Sequence, residues 1–291
     1  MAAPTVQLEE LTWTELRDRI AAGTSTVLLP VGGTEQNGPH MALGKHNVRV
    51  RVLAARIAQR LGNAVVAPVL AYVPEGAIEP PTQHMRWAGT ISIPAAAFES
   101  LLEGTARSLH RHGLCHVVLL GDHGGYRSSL DRVAARLNGE WARTACRVHA
   151  LPEYYRAASA DLAKSLRAQG FSTAEIGTHA GLADTALMLA IEPALVRTQA
   201  LQQTAADAEG VAGDPRRATA ELGRGAVEHI IDTTVAAIRD QTRQMRARTP
   251  NSMAPPSMSP SSMSPSSLPS TSISPSSISP SSISPSKEKK P

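Results

Sequence analysis

Aromatic residues are scarce in this 291-residue chain: two Phe, three Trp and four Tyr. Its Lys and Arg are scattered, and no basic run is interleaved with the few rings, so the pattern of a nucleic-acid binder is missing. No uninterrupted apolar segment reaches the roughly 20 residues of a membrane span. The N-terminal MAAPTVQLEELTW lacks a basic region followed by an apolar one, so the expected location is cytoplasmic. Cysteine is limited to Cys115 and Cys146, both in apolar, strand-like surroundings and neither with a Cys-x-x-Cys partner. They are expected to be buried free thiols in a reducing compartment. The net charge of +4 is small, and Lys287, Glu288, Lys289 and Lys290 supply half of it.

Hydrophobic residues make up 42% of the chain, enough for a sizeable core. Their spacing predicts helix over Leu11–Ala22, with Thr12 or Thr14 as cap, and strand over Thr26–Val31. Helix from about Asn47 to Leu61, closed by Gly62, and strand over Ala64–Val73 follow. Next come helix over Pro94–His112, strand over Cys115–Gly121, helix over Ser128–Leu137 and strand over Cys146–Leu151. Helices over Tyr154–Ala168, Ala183–Ile191 and roughly Ala218–Arg246 complete the series. Such alternation implies an α/β fold with a mainly parallel central sheet, covered by helices on both faces.

After Thr249 the composition changes. Met253, Met258, Met263, Leu268, Ile273, Ile278 and Ile283 recur every five residues among Ser and Pro. That period matches neither helix nor strand, so 1–249 is expected to be the folded domain and 250–291 a disordered tail.

The chemistry is concentrated in the stretch Leu28–Val50, LLPVGGTEQNGPHMALGKHNVRV. An apolar strand breaks at Gly32-Gly33 and is followed by Glu35, Gln36, Asn37, His40, Lys45, His46 and Asn47. Ligands of α/β proteins bind at the carboxyl ends of parallel strands, and this loop lies at such an end. A second polar loop, Gly121-Asp-His-Gly-Gly-Tyr126, follows the Cys115–Gly121 strand, and a third holds His179 and Asp184. The segment 74–90 is a long connection carrying Glu79, Gln83, His84, Arg86 and Trp87. His84 and Trp87 either line a substrate site or belong to an ordinary surface loop.

PVGGTEQNGPHMALG resembles the creatininase (creatinine amidohydrolase) signature PVGSxEQHGPHLPLGTD. LLGDHGGY is similar to that family's NGHGGN, and HAGLADT, starting at His179, to its HAGxxET. The three motifs stand in the family's order, within a resemblance over about residues 8 to 245. It implies a three-layer αβα sandwich, a homo-oligomer (often a hexamer), and an amide hydrolase whose site holds two divalent ions. Matched one by one, Glu35 and His123 keep the family's ligands, and Asp184 stands where the family has Glu. Asn37 replaces a ligand His, and His46 replaces the Asp that bridges the two ions. An imidazole has one lone pair to offer and cannot bridge as a carboxylate does.

The ligands are therefore exchanged rather than simply lost. The expected centre holds one divalent ion, Zn or Mn with Fe as a further option, on Glu35, His46, His123 and a carboxylate, Asp184 or Asp122. His179 and Asp122 are the expected catalytic groups, the former as proton donor to a leaving nitrogen. His84, Trp87 and Tyr126 are expected to contact substrate, and Asn37 and His40 to support the ligands. The expected activity is metal-dependent hydrolysis of a non-peptide C–N bond in a small cyclic amide, linear amide or formamide. The rival is a non-catalytic creatininase-fold protein serving as a small-molecule binder or assembly subunit.

Overall fold

Thr26–Val31 forms strand β1, and all six residues are buried. A strand covered on both faces reads as a continuous apolar run rather than an alternating one. The computed structural model describes residues 5–248. The expected disordered tail lies outside the described residues. Helix α1 (Trp13–Ala21) precedes β1. Then come α2 (Lys45–Leu61), β2 (Ala64–Val66), α3 (Ala95–Arg111), β3 (His116–Gly121), α4 (Arg127–Glu140) and β4 (Arg147–Ala150). The second half is helical. α5 (Pro152–Arg156) continues through a π-helical segment (Ala157–Asp161) into α6 (Leu162–Ala168). α7 (Thr173–Ile176), α8 (Leu182–Ile191), α9 (Thr198–Gln203) and α10 (Ala220–Arg248) follow.

The strands pair in the order β2-β1-β3-β4, all parallel. Alternate side chains of the central strands enter two separate cores. Leu28, Val118 and Leu120 pack with α2, α8 and α10 on one face. Val27, Leu29, Val117 and Leu119 pack with α3 and α4 on the other. The result is the expected αβα sandwich. The helices after β1 and β3 cover opposite faces, so the carboxyl ends of these neighbouring strands border a topological switch point.

Three local features differ from the expectation or need a reason. Pro30 sits in the central strand β1, where a missing N–H is normally costly. The β2 ladder ends at Leu28, and the Pro30 carbonyl then accepts from the Leu70 amide at 3.0 Å. The absent donor thus falls on the side where regular pairing has stopped. For the same kind of reason β2 is three residues and not the expected Ala64–Val73: Pro68 cannot donate, and the chain rejoins the sheet only through the Val31–Leu70 bridge. Helix α2 begins at Lys45, not Asn47, which puts Lys45 and His46 in its first turn.

The cysteine expectation is corrected. Cys115 and Cys146 form a disulfide. They immediately precede β3 and β4, whose register pairs His116 with Arg147, so the fold sets them side by side across 31 residues of sequence. Capping follows the sequence more closely. Thr12 and Glu15 form a capping box at α1, and Gly62 closes α2 in the left-handed conformation. Among the described residues no helix is long and apolar enough to cross a membrane.

Candidate metal centre

Glu35 is fully buried in the loop after β1, and the loop's own residues fix it there. Asn37 Nδ2 donates to the Glu35 carbonyl at 2.9 Å and to the Ala42 carbonyl at 3.2 Å. The Gly33 amide donates to Asn47 Oδ1 at 2.9 Å. Gly33 has φ +150°, and a Cβ there would stand 2.6 Å from Glu75 Oε1, so the glycine admits a second carboxylate.

Four side chains from three connections converge at this point. Glu35 follows β1, Glu75 and His84 lie between β2 and α3, and His123 follows β3. One potential ligand atom from each lies within 4.8 Å of the others. Glu35 Oε2 is 3.3 Å from His84 Nε2 and 3.6 Å from His123 Nε2. Glu75 Oε2 is 3.4 Å from His123 Nδ1. Glu35 Oε2 and both Glu75 oxygens are buried without a hydrogen-bond partner. Two unsatisfied buried carboxylates facing two imidazoles are costly unless a cation lies among them. This donor set fits a divalent ion such as zinc or manganese.

The charges follow the same geometry. Burial, and then the nearby Glu35 charge, pushes the Glu75 carboxyl up to about 9. Burial raises Glu35 as well, but the hydrogen bond and charge of His46, with Lys45 and His123, outweigh it and keep Glu35 ionised. Burial lowers His123 to about 3, helped by His46, and burial also lowers His84. Both imidazoles are therefore neutral near pH 7, the form that ligates a metal.

His179 completes the site. Its Nε2 lies 2.9 Å from the Gln36 carbonyl and 3.0 Å from the Gln36 side-chain amide nitrogen, and its Nδ1 lies 3.7 Å from Glu35 Oε1. Burial, then the Lys45 charge, holds this imidazole down to about 4. His84, Trp87 and His179 line one open cleft of about 500 Å³ together with Gln36. Ala180 adopts φ +52°, a left-handed conformation uncommon for alanine, directly after His179.

A family model described as creatininase, creatinine amidohydrolase, matches residues 9–238. The chain belongs to the creatininase family. A creatinine amidohydrolase from Pseudomonas putida is 31% identical over 193 residues, 64% of this chain and 72% of that one. A mycofactocin precursor peptide peptidase from Mycolicibacterium smegmatis is 31% identical over 220 residues, 68% of this chain and 77% of that one. Among solved structures, creatininase Mn matches with a TM-score of 0.68 at 27% identity, covering 82% of this chain and 99% of that one. A mutant creatininase of the Zn-Zn type matches with a TM-score of 0.67, the same identity and the same coverage.

Within this creatininase-family fold the residues expected to form the site separate into two groups. Glu35, His123 and His179 come together. His46 and Asp184 do not join the four-residue cluster. His46 has both ring nitrogens engaged, Nε2 at 2.9 Å from Glu35 Oε1 and Nδ1 at 2.6 Å from Asp122 Oδ2. Asp184 is held by Lys45 Nζ at 2.7 Å and Arg49 Nη1 at 2.8 Å, and it accepts from the Ala180 amide. Asp122, expected to act on substrate, is buried and bonded to His46, Arg49 and Tyr154.

Tyr126 does not line the cleft. Its ring is buried, and its hydroxyl bonds the Val31 and Gly32 carbonyls and the Asp122 and His123 amides. His40 is buried against Thr185 at 3.0 Å, and Asn37 braces the Glu35 backbone. Trp87 lines the cleft mouth and donates to Glu209 at 3.1 Å. Glu75 was not foreseen. The available signal was a carboxylate two residues past an apolar run, in Val73-Pro-Glu-Gly76, the same kind of position that marks Glu35 after β1.

Proposed function

We propose that this protein is a metal-dependent hydrolase that cleaves the C–N bond of a small amide, non-peptide in class, with Glu35, Glu75, His84 and His123 holding one zinc or manganese ion. The observation that carries this reading is the convergence of those four side chains, with three carboxylate oxygens buried and unpartnered, next to His179. A divalent ion held there would supply Lewis acidity toward a carbonyl group and a water molecule. Glu35 and Glu75 provide the negative charge, and the two imidazoles the neutral donors. His179, held neutral near pH 7, is the group placed to carry a proton from the attacking water to the departing nitrogen.

The identities of the relatives frame the substrate test. One is a creatinine amidohydrolase and another a precursor peptide peptidase. Purified protein loaded with zinc or manganese is to be assayed against cyclic amides, linear amides, formamides and short peptides. Turnover of a non-peptide amide, lost in Glu35→Gln and His123→Ala together with bound metal, supports the reading. Turnover of peptides alone would replace the non-peptide class. Metal bound with no hydrolysis of any class would favour the binder.

A further inference from the structure

Beside the centre stand fixed cations, in the lining of a second cavity of about 390 Å³. Lys45 is 1% exposed, and its ammonium lies 2.7 Å from Asp184 Oδ2 and 4.0 Å from Glu35 Oε1. Arg49 is buried beside it, 2.8 Å from Asp122 Oδ2 and 2.8 Å from Asp184 Oδ1. His46 fills the space between Glu35 and Asp122. Three carboxylates therefore surround two fixed positive charges and an imidazole. All three basic residues stand within the first five residues of α2, where no acidic residue occurs. Positive charge at a helix N-terminus opposes the helix dipole, and burial adds a desolvation penalty. Only the surrounding acids offset both costs.

Glu35 divides this cluster from the metal centre. Its Oε2 faces His84 and His123 without a hydrogen-bond partner, while its Oε1 faces His46 and Lys45. A carboxylate bridging two metal ions would need both oxygens free, and here one is already committed to side-chain cations. Without the Lys45 ammonium, the two oxygens that flank it, Asp184 Oδ2 at 2.7 Å and Glu35 Oε1 at 4.0 Å, would face an anionic position for a second ion.

We propose that Lys45, supported by Arg49, is a built-in cation standing in place of a second metal ion, so that the centre takes one divalent ion only. This rests on the metal-centre reading above and adds to it the group that sets its stoichiometry. A structural neighbour is a mutant creatininase of the Zn-Zn type. Lys45 acts here through charge and position, not through contact with substrate.

The test counts ions. Chelator-stripped full-length protein is titrated with manganese(II), freed of excess by gel filtration and analysed for metal per chain, with an electron paramagnetic resonance spectrum of each sample. Wild type is expected to bind one equivalent, with the spectrum of isolated manganese, even at high excess. Lys45→Met removes the charge at similar length and is expected to bind two equivalents with a spin-coupled spectrum. Lys45→Met combined with Asp184→Asn is expected to return to one, and Lys45→Arg to remain at one. Two equivalents in wild type, or one in folded Lys45→Met, overturns the proposal. No bound ion in wild type overturns the metal centre itself and the proposal with it. Should Lys45→Met fail to fold, Lys45→Gln takes its place, and the wild-type count remains decisive alone.

Discussion

The hydroxyl of Tyr126 donates to the carbonyl of Val31 at 2.7 Å, joining the turn after β3 to the end of β1. The same oxygen accepts from the amides of Asp122 and His123, each at 3.1 Å. One buried phenol thus ties together the two loops that carry Glu35 and His123. Tyr126→Phe keeps the ring and leaves the His123 amide without this partner. A buried unsatisfied donor costs about 1–3 kcal/mol. Denaturant unfolding should show a loss of that size, and metal affinity should fall as the two loops loosen. Unchanged stability would mean that water replaces the hydroxyl.

Metal uptake should release a proton. Glu75 is held up to about 9 by burial and by Glu35, so the metal-free protein carries a proton on it at neutral pH. His84 and His123 are lowered and already neutral, so they contribute no proton. A raised carboxyl pKa means that deprotonation, and with it metal affinity, becomes easier as pH rises toward 9. Calorimetry in buffers of different ionisation enthalpy should give about one proton per ion at pH 7. Glu75→Gln should abolish the release and weaken binding, and a buffer-independent enthalpy in wild type would count against Glu75 as a ligand.

His179→Ala should lower kcat by about 10² to 10⁴ while leaving metal content unchanged. The side chain faces Glu35 Oε1 at 3.7 Å but lies outside the four-residue cluster. Loss of metal in this variant would instead make His179 a ligand.

Arg49→Leu leaves Asp122 and Asp184 without their shared guanidinium. Removing one partner of such a buried pair costs about 3–5 kcal/mol. Burial raises both carboxyls, yet Arg49 with His46 holds Asp122, and Lys45 with Arg49 holds Asp184, below the ordinary carboxylate range. Groups with depressed folded pKa values stabilise above their unfolded pKa and lose that contribution as pH falls. The gap between wild type and Arg49→Leu, measured by urea unfolding, should therefore be full at pH 7 and narrow below about pH 4.

The scaffold was largely legible because it depends on local patterns. The unbroken apolar runs of β1 and β3, the Thr12 cap and the Gly62 stop need no knowledge of distant residues. Glu35, His123 and His179 were legible because each sits in a short motif beside a strand end or helix start. The remainder depended on contacts across the chain. Glu75 meets the centre only because Gly33, 42 positions earlier, has no side chain. His46 has the composition of a ligand, but two carboxylates from other loops occupy both its nitrogens. The cysteines look like isolated thiols until the β3–β4 register places them side by side.

The divergence of α2 and α4 to opposite faces has a consequence for how such a protein can change. Residues of β1 and β3 are each locked into one of two cores, so a substitution there disturbs the scaffold. Glu35, Glu75, His84 and His123 instead arrive on three connections that end at the same gap. A ligand lost from one connection can be replaced by a side chain from another without repacking either core. The sheet keeps the inheritance, while the loops remain free to exchange the chemistry.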